Sequence, residues 1–430
     1  MSALQNEIDK LNTLKESFSE LSKKVLDTQA VLTELNHGKQ EIVDAIKSKG
    51  GSSNADKPLA EIANDVRAIS NVDKTFNEVE YFMTLYGLSM SPLQLIAKHF
   101  DTEYSTYVCY IVDADTKINV QRSAYVMFTA DGAIENPEGE YTIQEWENRF
   151  GYFIFAYKSS AVTWENYSAY FIGMYGANTA LDNRTLTNFR GIECDASVID
   201  LGNSCFNGRT IEFINFHKSS VTISGTNIFD SSSLRSLTMP QVKKITSGEI
   251  WNNSSISLAC LDGLEEVGAR ALRGNVSKIS LNGLRRLSTN GLTNMTNIKE
   301  LYLPSLESAD ASVCVDSMTS LERFIAPNAT NMNGYAIFRS CPKLIDIECG
   351  EISTSTSWNQ WNPTSVLSDE EQIPILDKNL REHVAAKIKD LIGGTPQTFT
   401  FHQNVRNIMS EETENIFKAK NWNIAPTKSV

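Results

Sequence analysis

The sequence predicts a multi-domain protein built around a parallel β-solenoid. Three observations carry that expectation. Apolar stripes recur at nearly constant spacing between Ile214 and Ile347, prolines or Asx-Gly pairs follow the stripes, and a heptad pattern free of Gly and Pro runs through residues 4–36, with Glu7 and Thr28 as exceptions. The expected fold class is an N-terminal α-helical coiled coil, a mixed α/β middle domain, and a β-solenoid closed by an α+β C-terminal cap.

The repeat is the strongest signal. Its stripes are Ile214/Phe216, Leu237/Met239, Ala259/Leu261, Ile279/Leu281, Leu301/Leu303, Phe324/Ala326 and Ile347/Cys349, spaced 20 to 23 residues apart. Three residues earlier stands another apolar residue: Ile211, Leu234, Ile256, Val276, Ile298, Leu321 or Leu344. About twelve residues beyond the stripe comes a large apolar one: Phe229, Trp251, Leu272, Leu292, Val315 or Phe338. A period held over this many turns marks a repeat architecture, in which no single unit buries its apolar side and stacking joins the units into one core. Each repeat is expected to be one short strand plus a return segment.

Proline explains the punctuation. Pro240, Pro304 and Pro327 directly follow stripes, where the missing N–H and fixed φ end pairing and turn the chain. Asp262-Gly263 and Asn282-Gly283 take the same place with turn chemistry. Seven strands about 4.8 Å apart make a sheet on the order of 30 Å long, with two raw edges to cover.

The N-terminal element is read from its heptads. Leu4, Leu11, Phe18, Val25 and Leu32 recur every seven residues, and Leu14, Leu21 and Leu35 fill most companion positions. This seam predicts a coiled-coil stalk over 1–37 that makes the protein a homo-oligomer; its mixed Leu, Val and Phe specify neither dimer nor trimer, and a trimer is the favoured expectation. Residues 38–73 read as a helical hairpin turning at Gly50-Gly51-Ser52-Ser53.

The segment 74–190 is aromatic-rich, with short β-branched and aromatic runs broken by Asp-Gly and Pro-Glu-Gly. It reads as a β or α+β domain capping the solenoid. The repeats fill 191–357. In the cap, 358–430, Leu380, Val384, Ile388 and Leu391 share a helix face ended by Gly393-Gly394, and Phe399 and Phe401 alternate in a strand. Ser410 followed by Glu411 and Glu412 is a helix start, and Lys418 and Lys420 mark its end.

Composition limits the function classes. Net charge is −13 with 21% charged residues, which argues against a nucleic-acid partner. No 18-residue apolar run predicts a membrane span. The start MSALQNEIDKLN lacks the pattern of a signal peptide, so synthesis in a cytosol is expected. Seven cysteines without a C-x-x-C pair read as reduced core residues. The five histidines are scattered, and no P-loop, G-x-G-x-x-G, G-x-S-x-G or H-E-x-x-H occurs, so neither an enzyme nor a cofactor or metal is expected. Trp358 and Trp361 lie in the polar stretch STSTSWNQWNP. They are either an exposed pair that stacks on sugars or a plug at the end of the solenoid.

The stripe Leu-x-x-Leu-x-Leu-Pro, with a later aromatic before Cys or Asn as in FRSC at Phe338 to Cys341, resembles BspA-type leucine-rich repeats over about residues 190–352. That resemblance implies a leucine-rich-repeat β-solenoid. GKQEIVDAIKSKGGSSNADKPLAEIANDVRAI resembles a segment common in structural proteins of tailed bacteriophages. FHQNVRNIMSEETENIFKAKNWNIAP is similar to C-termini of repeat-bearing proteins from phages and bacteria of the Bacteroides group. The arrangement resembles virion fibre or receptor-binding proteins of tailed phages, the crAss-like phages among them. This resemblance implies a virion location, other virion proteins as partners, and a host cell-surface glycan or protein as ligand. A head decoration protein, a glycan-degrading tailspike and a bacterial surface adhesin are the alternatives.

Overall fold

A computed structural model describes residues 78–429 apart from 122–123, 160–166, 177, 182–188, 196–197, 207–209, 217–218, 230–232, 249, 252–254, 310–312 and 334–336. The heptad seam (Leu4, Leu11, Leu14, Phe18, Leu21, Val25, Leu32, Leu35) and the hairpin over 38–73 lie outside the described residues. The described residues are β-rich with few helices and belong to one compact unit.

The repeat stripes pair in the register that their spacing requires. Ile214 faces Leu237, Leu237 faces Ala259, and Ala259 faces Ile279 along parallel strands. Leu301 faces Phe324, which faces Ile347. All seven of these stripe residues are buried. The later apolar positions pair as well: Leu272 with Leu292, Leu292 with Val315, and Val315 with Phe338.

One strand plus a return segment was too simple a repeat. A further parallel sheet runs Ile199–Val221 and then Ile223–Ile245–Val267–Leu287, so turns of the chain carry strands on up to three faces. These residues follow the corner, where short runs such as Lys244–Ser247 give no period of their own. The corners stack on one another. A Cβ on Gly263 would lie 2.0 Å from the Pro240 carbonyl oxygen, and one on Gly283 would lie 2.4 Å from the Asp262 carbonyl oxygen. Only a residue without a side chain lets successive backbones approach that closely.

The first face is interrupted once. No ladder joins Asn275–Ser280 to Glu300–Tyr302 among the described residues, although the other two faces continue past this point. Corner length supplies the reason. From Leu272 to Ile279 the chain takes seven steps, whereas from Leu292 to Leu301 it takes nine. The longer corner holds a turn in which Ile298 N–H donates to the Met295 carbonyl, repeated at Leu321–Met318 and Leu344–Cys341. Arrays with short and long corners meet here, and their first-face strands fall out of step. Ile279 is accordingly 8% exposed, while its counterparts Ile214, Leu237 and Ala259 are fully buried.

Both raw edges are covered. Thr106–Asp113 lies between Phe150–Tyr157 and Phe171–Tyr175 in antiparallel pairing, and Phe171–Tyr175 then pairs parallel with Gly191–Asp195. The antiparallel strands and the first-face strands up to Asn275–Ser280 thus form one ten-stranded sheet. Helices Glu78–Tyr86 and Pro92–Lys98 cover its outer side, while Ile118 and Val120 of the hairpin Lys117–Gln121/Glu138–Thr142 pack with Val108, Tyr110 and Phe155 on the other. Pro92 sits against Gly173, and the buried Glu193 carboxylate accepts the Leu93 N–H at 2.6 Å. Burial raises the Glu193 pKa, against the pull of its hydrogen-bond donors.

At the other end Thr356–Trp358, Gln397–Phe401 and Trp422–Ala425 form a small parallel sheet. The helix carrying Leu380 and Val384 is a π-helical turn over Leu380–Ala385 and ends well before Gly393-Gly394. Gly393, at φ +82, forms a later turn instead. Ser410 caps Glu411–Ala419 by accepting the Thr413 N–H.

Candidate functional site

A depression of about 270 Å³ opens where the antiparallel strands meet the first repeat strands. Asp113, Thr116, Ser168, Tyr170, Arg190 and Thr210 line it, with Phe189 as a buried floor. Local folding explains each position. Asp113 ends the strand Thr106–Asp113, and Thr116 Oγ1 donates to its carbonyl at 2.5 Å. Arg190 precedes the strand Gly191–Asp195, where Arg190 N–H and Gly191 N–H both donate to the Tyr170 carbonyl.

Arg149 flanks the site from a tight turn before Phe150–Tyr157. Asn148 and Arg149 have φ of +54 and +107, a backbone that glycine adopts more easily than either. Outside contacts hold the turn: Glu147 Oε2 accepts from the Ser89 N–H at 2.8 Å and hydroxyl at 2.9 Å, and Asn148 Nδ2 donates to the Gly87 carbonyl. The strained backbone places the Arg149 guanidinium 4.9 Å from the Phe150 ring centre, 5.5 Å from that of Tyr170, and 3.8 Å from Asp113 Oδ1.

Arg190 reaches Tyr170 as well, at 5.9 Å from the ring centre. Its Nη1 donates to Tyr86 Oη at 2.9 Å and to Glu212 Oε1 at 3.0 Å. Burial works against the Arg190 charge, but Tyr86 and Glu212 outweigh it and raise its pKa. Tyr86, Phe150 and Tyr170 meet edge to face at 5.0 to 6.1 Å, so the aromatic base under the two arginines is firm.

Charged rows extend from this end along the array. In-register stacking sets equivalent positions one strand spacing apart, so alternating signs attract where like signs would repel. Lys243 pairs with Glu265 at 3.1 Å and Arg285 with Glu307 at 3.7 Å. Arg323 bridges Glu300 at 2.8 Å and Asp346 at 3.2 Å, and Asp346 also binds His383 Nδ1 at 2.6 Å, tying the last repeats to the cap. Arg339 holds Asp316 bidentately at 3.0 and 2.7 Å.

Trp358 and Trp361 are not an exposed pair. Both are buried, and their Nε1 groups donate to the Met332 and Leu344 carbonyls at 3.2 Å each. Trp358 packs on Phe338 of the last third-face strand and on Phe399 of the cap, leaving no ring face for a sugar. The cap covers them because Gln397–Phe401, distant in sequence, pairs with Thr356–Trp358. The sequence pointed instead at nothing in the depression: its residues come from separate strands and share no motif. The excess of tyrosine and phenylalanine over 74–190 was the only available signal.

All seven cysteines are buried and none is joined in a disulfide, and burial pushes the Cys341 and Cys349 thiols up to about 12. Among the described residues no group of three His, Cys, Asp or Glu side chains could hold a metal ion, and no helix is long and apolar enough to cross a membrane.

Comparison with curated proteins and with solved structures finds no match. The model of the BspA type leucine rich repeat region matches in six copies over residues 183–277 and 243–362. Those spans contain the paired stripes from Ile214 to Ile347, so the chain carries a BspA-type leucine-rich repeat region.

Proposed function

We propose that the protein is a structural virion fibre protein, on the head or the tail, whose repeat array is presented to a host surface. The supporting observation is an extended array whose two edges are both covered by the chain's own elements, leaving its flanks and the Arg149–Arg190 end as the surface available to partners. The phage-like segments at 38–69 and 401–426 and the heptad seam support the virion context. Binding is non-covalent, and oligomerisation through the stalk multiplies weak single contacts into avidity. Synthesis in the host cytoplasm precedes assembly with other virion proteins.

Size-exclusion chromatography with light scattering tests the reading on the full chain and on a chain beginning at residue 40. A trimer that dissociates on removal of the stalk, together with adsorption of the full chain to host cells, is the expected outcome. A monomer in both refutes the stalk. An oligomer that binds only other particle proteins makes it a head decoration component, and a halo of degraded polysaccharide on host lawns makes it a glycan-cutting spike.

A further inference from the structure

We propose that the depression between Asp113 and Arg190 is a binding site for one uncharged sugar ring of a host-surface glycan. The inference rests on the host-binding reading above and adds the ligand class and the residues. Its basis is the chemistry of the lining. A hexose ring carries hydroxyls that each donate one hydrogen bond and accept others, and it has an apolar face of C–H groups. The depression offers both complements.

Among the described residues no donor approaches the Asp113 carboxylate closer than Arg149 at 3.8 Å. Arg190 uses Nη1 for Tyr86 and Glu212, while its Nε and Nη2 have no hydrogen-bond partner among the described residues. The hydroxyls of Ser168 and Thr210 are exposed and also lack partners among the described residues. An acceptor, a fork of donors and two hydroxyls that do either converge over the Phe189 floor and the Tyr170 ring. Sites of this kind combine an apolar lining with a few placed polar groups. A volume of about 270 Å³ suits one ring and not a chain of them.

The charge balance selects an uncharged ring. Each arginine has its own carboxylate, Arg149 with Asp113 and Arg190 with Glu212, so the rim carries no excess of positive charge to attract an acidic sugar. Strain supplies a second argument. Backbone held in a sparsely populated region concentrates at ligand sites, and here it positions the arginine that stands 3.8 Å from Asp113.

The test is saturation-transfer NMR and titration calorimetry on the full chain with glucose, galactose, mannose, N-acetylglucosamine and glucuronate. Saturation of at least one uncharged sugar is expected. Asp113→Asn removes the charged acceptor with little change of shape, and Thr210→Val removes one hydroxyl. The first should weaken binding at least about tenfold, since a hydrogen bond to a charged group contributes roughly 1.5–3 kcal/mol. Lys278→Ala, far along the array, should leave affinity unchanged. No saturation by any uncharged sugar, equal affinity in Asp113→Asn, or preference for glucuronate overturns the proposal. Host-cell adsorption separates the two readings: wild type and Asp113→Asn adsorbing equally removes the sugar site and keeps the host-binding function, whereas no adsorption by wild type removes both.

Discussion

Replacing Trp358 by Ala should destabilise the whole unit, because this side chain closes the repeat core against the cap. It is fully buried, packs on Phe338, Trp361, Phe399 and Phe401 at 4.9 to 6.2 Å between ring centres, and donates Nε1 to Met332. An aromatic of this size buries about 150–250 Å², equivalent to about 4–6 kcal/mol at 25 cal/mol/Å². Measured truncations of buried Phe and Trp to Ala cost about 3–5 kcal/mol, so partial collapse of the cavity brings the expectation to about 4 kcal/mol. Differential scanning calorimetry on the full chain should show the transition lowered by roughly 8 °C, taking about 2 °C per kcal/mol for a large unit. Trp358→Phe keeps much of the packing and loses the Met332 hydrogen bond, so it should fall between wild type and Ala. A shift under about 2 °C for Trp358→Ala would refute the reasoning and return Trp358 to the surface role that its polar sequence context suggests.

Two further predictions concern the cap and the interrupted face. Burial disfavours the Asp346 carboxylate, but His383 and Arg323 outweigh it and hold its pKa below 3.8, while the same hydrogen bond raises His383 above 6.5. The His383 contribution is complete below 6.5 and lost as pH rises through its folded value; the Asp346 contribution is complete above 3.8 and lost as pH falls through its own. The wild-type melting advantage over His383→Ala should therefore be largest between about pH 4 and 6.5 and shrink on the alkaline side; a flat difference from pH 5 to 9 would count against the pair. In hydrogen exchange, Glu322 and Arg323 N–H donate to the Lys299 carbonyl at 2.7 and 3.1 Å, whereas the equivalent Lys299 and Glu300 amides face the interruption. Lys299 and Glu300 should exchange at least tenfold faster, and equal protection would mean that the ladder is closed in solution.

The sequence by itself determined the repeat, its register and its corners. Strand pairing in a parallel stack is fixed by which residues must face inward, and the stripes leave one choice at each step except between Ile279 and Leu301, where the unequal corners break the ladder. Proline and glycine at the corners were legible for a related reason: each acts through its own backbone, whatever surrounds it. The Ser410 cap was legible on the same ground.

Only the tertiary structure decided what lies between distant segments. A two- to four-residue strand such as Lys244–Ser247 is too short to carry a period, so its face appeared only once neighbouring turns paired with it. The burial of Trp358 and Trp361 depends on Gln397–Phe401 docking beside them, and local polarity carries no trace of that contact. The depression at Asp113, Tyr170 and Arg190 is assembled from the ends of separate strands, with Arg149 aimed by a turn held from Gly87 and Ser89. Periodicity records what each repeat buries in its neighbour, whereas a site made where the periodic and non-periodic parts of one sheet meet has no period to record it.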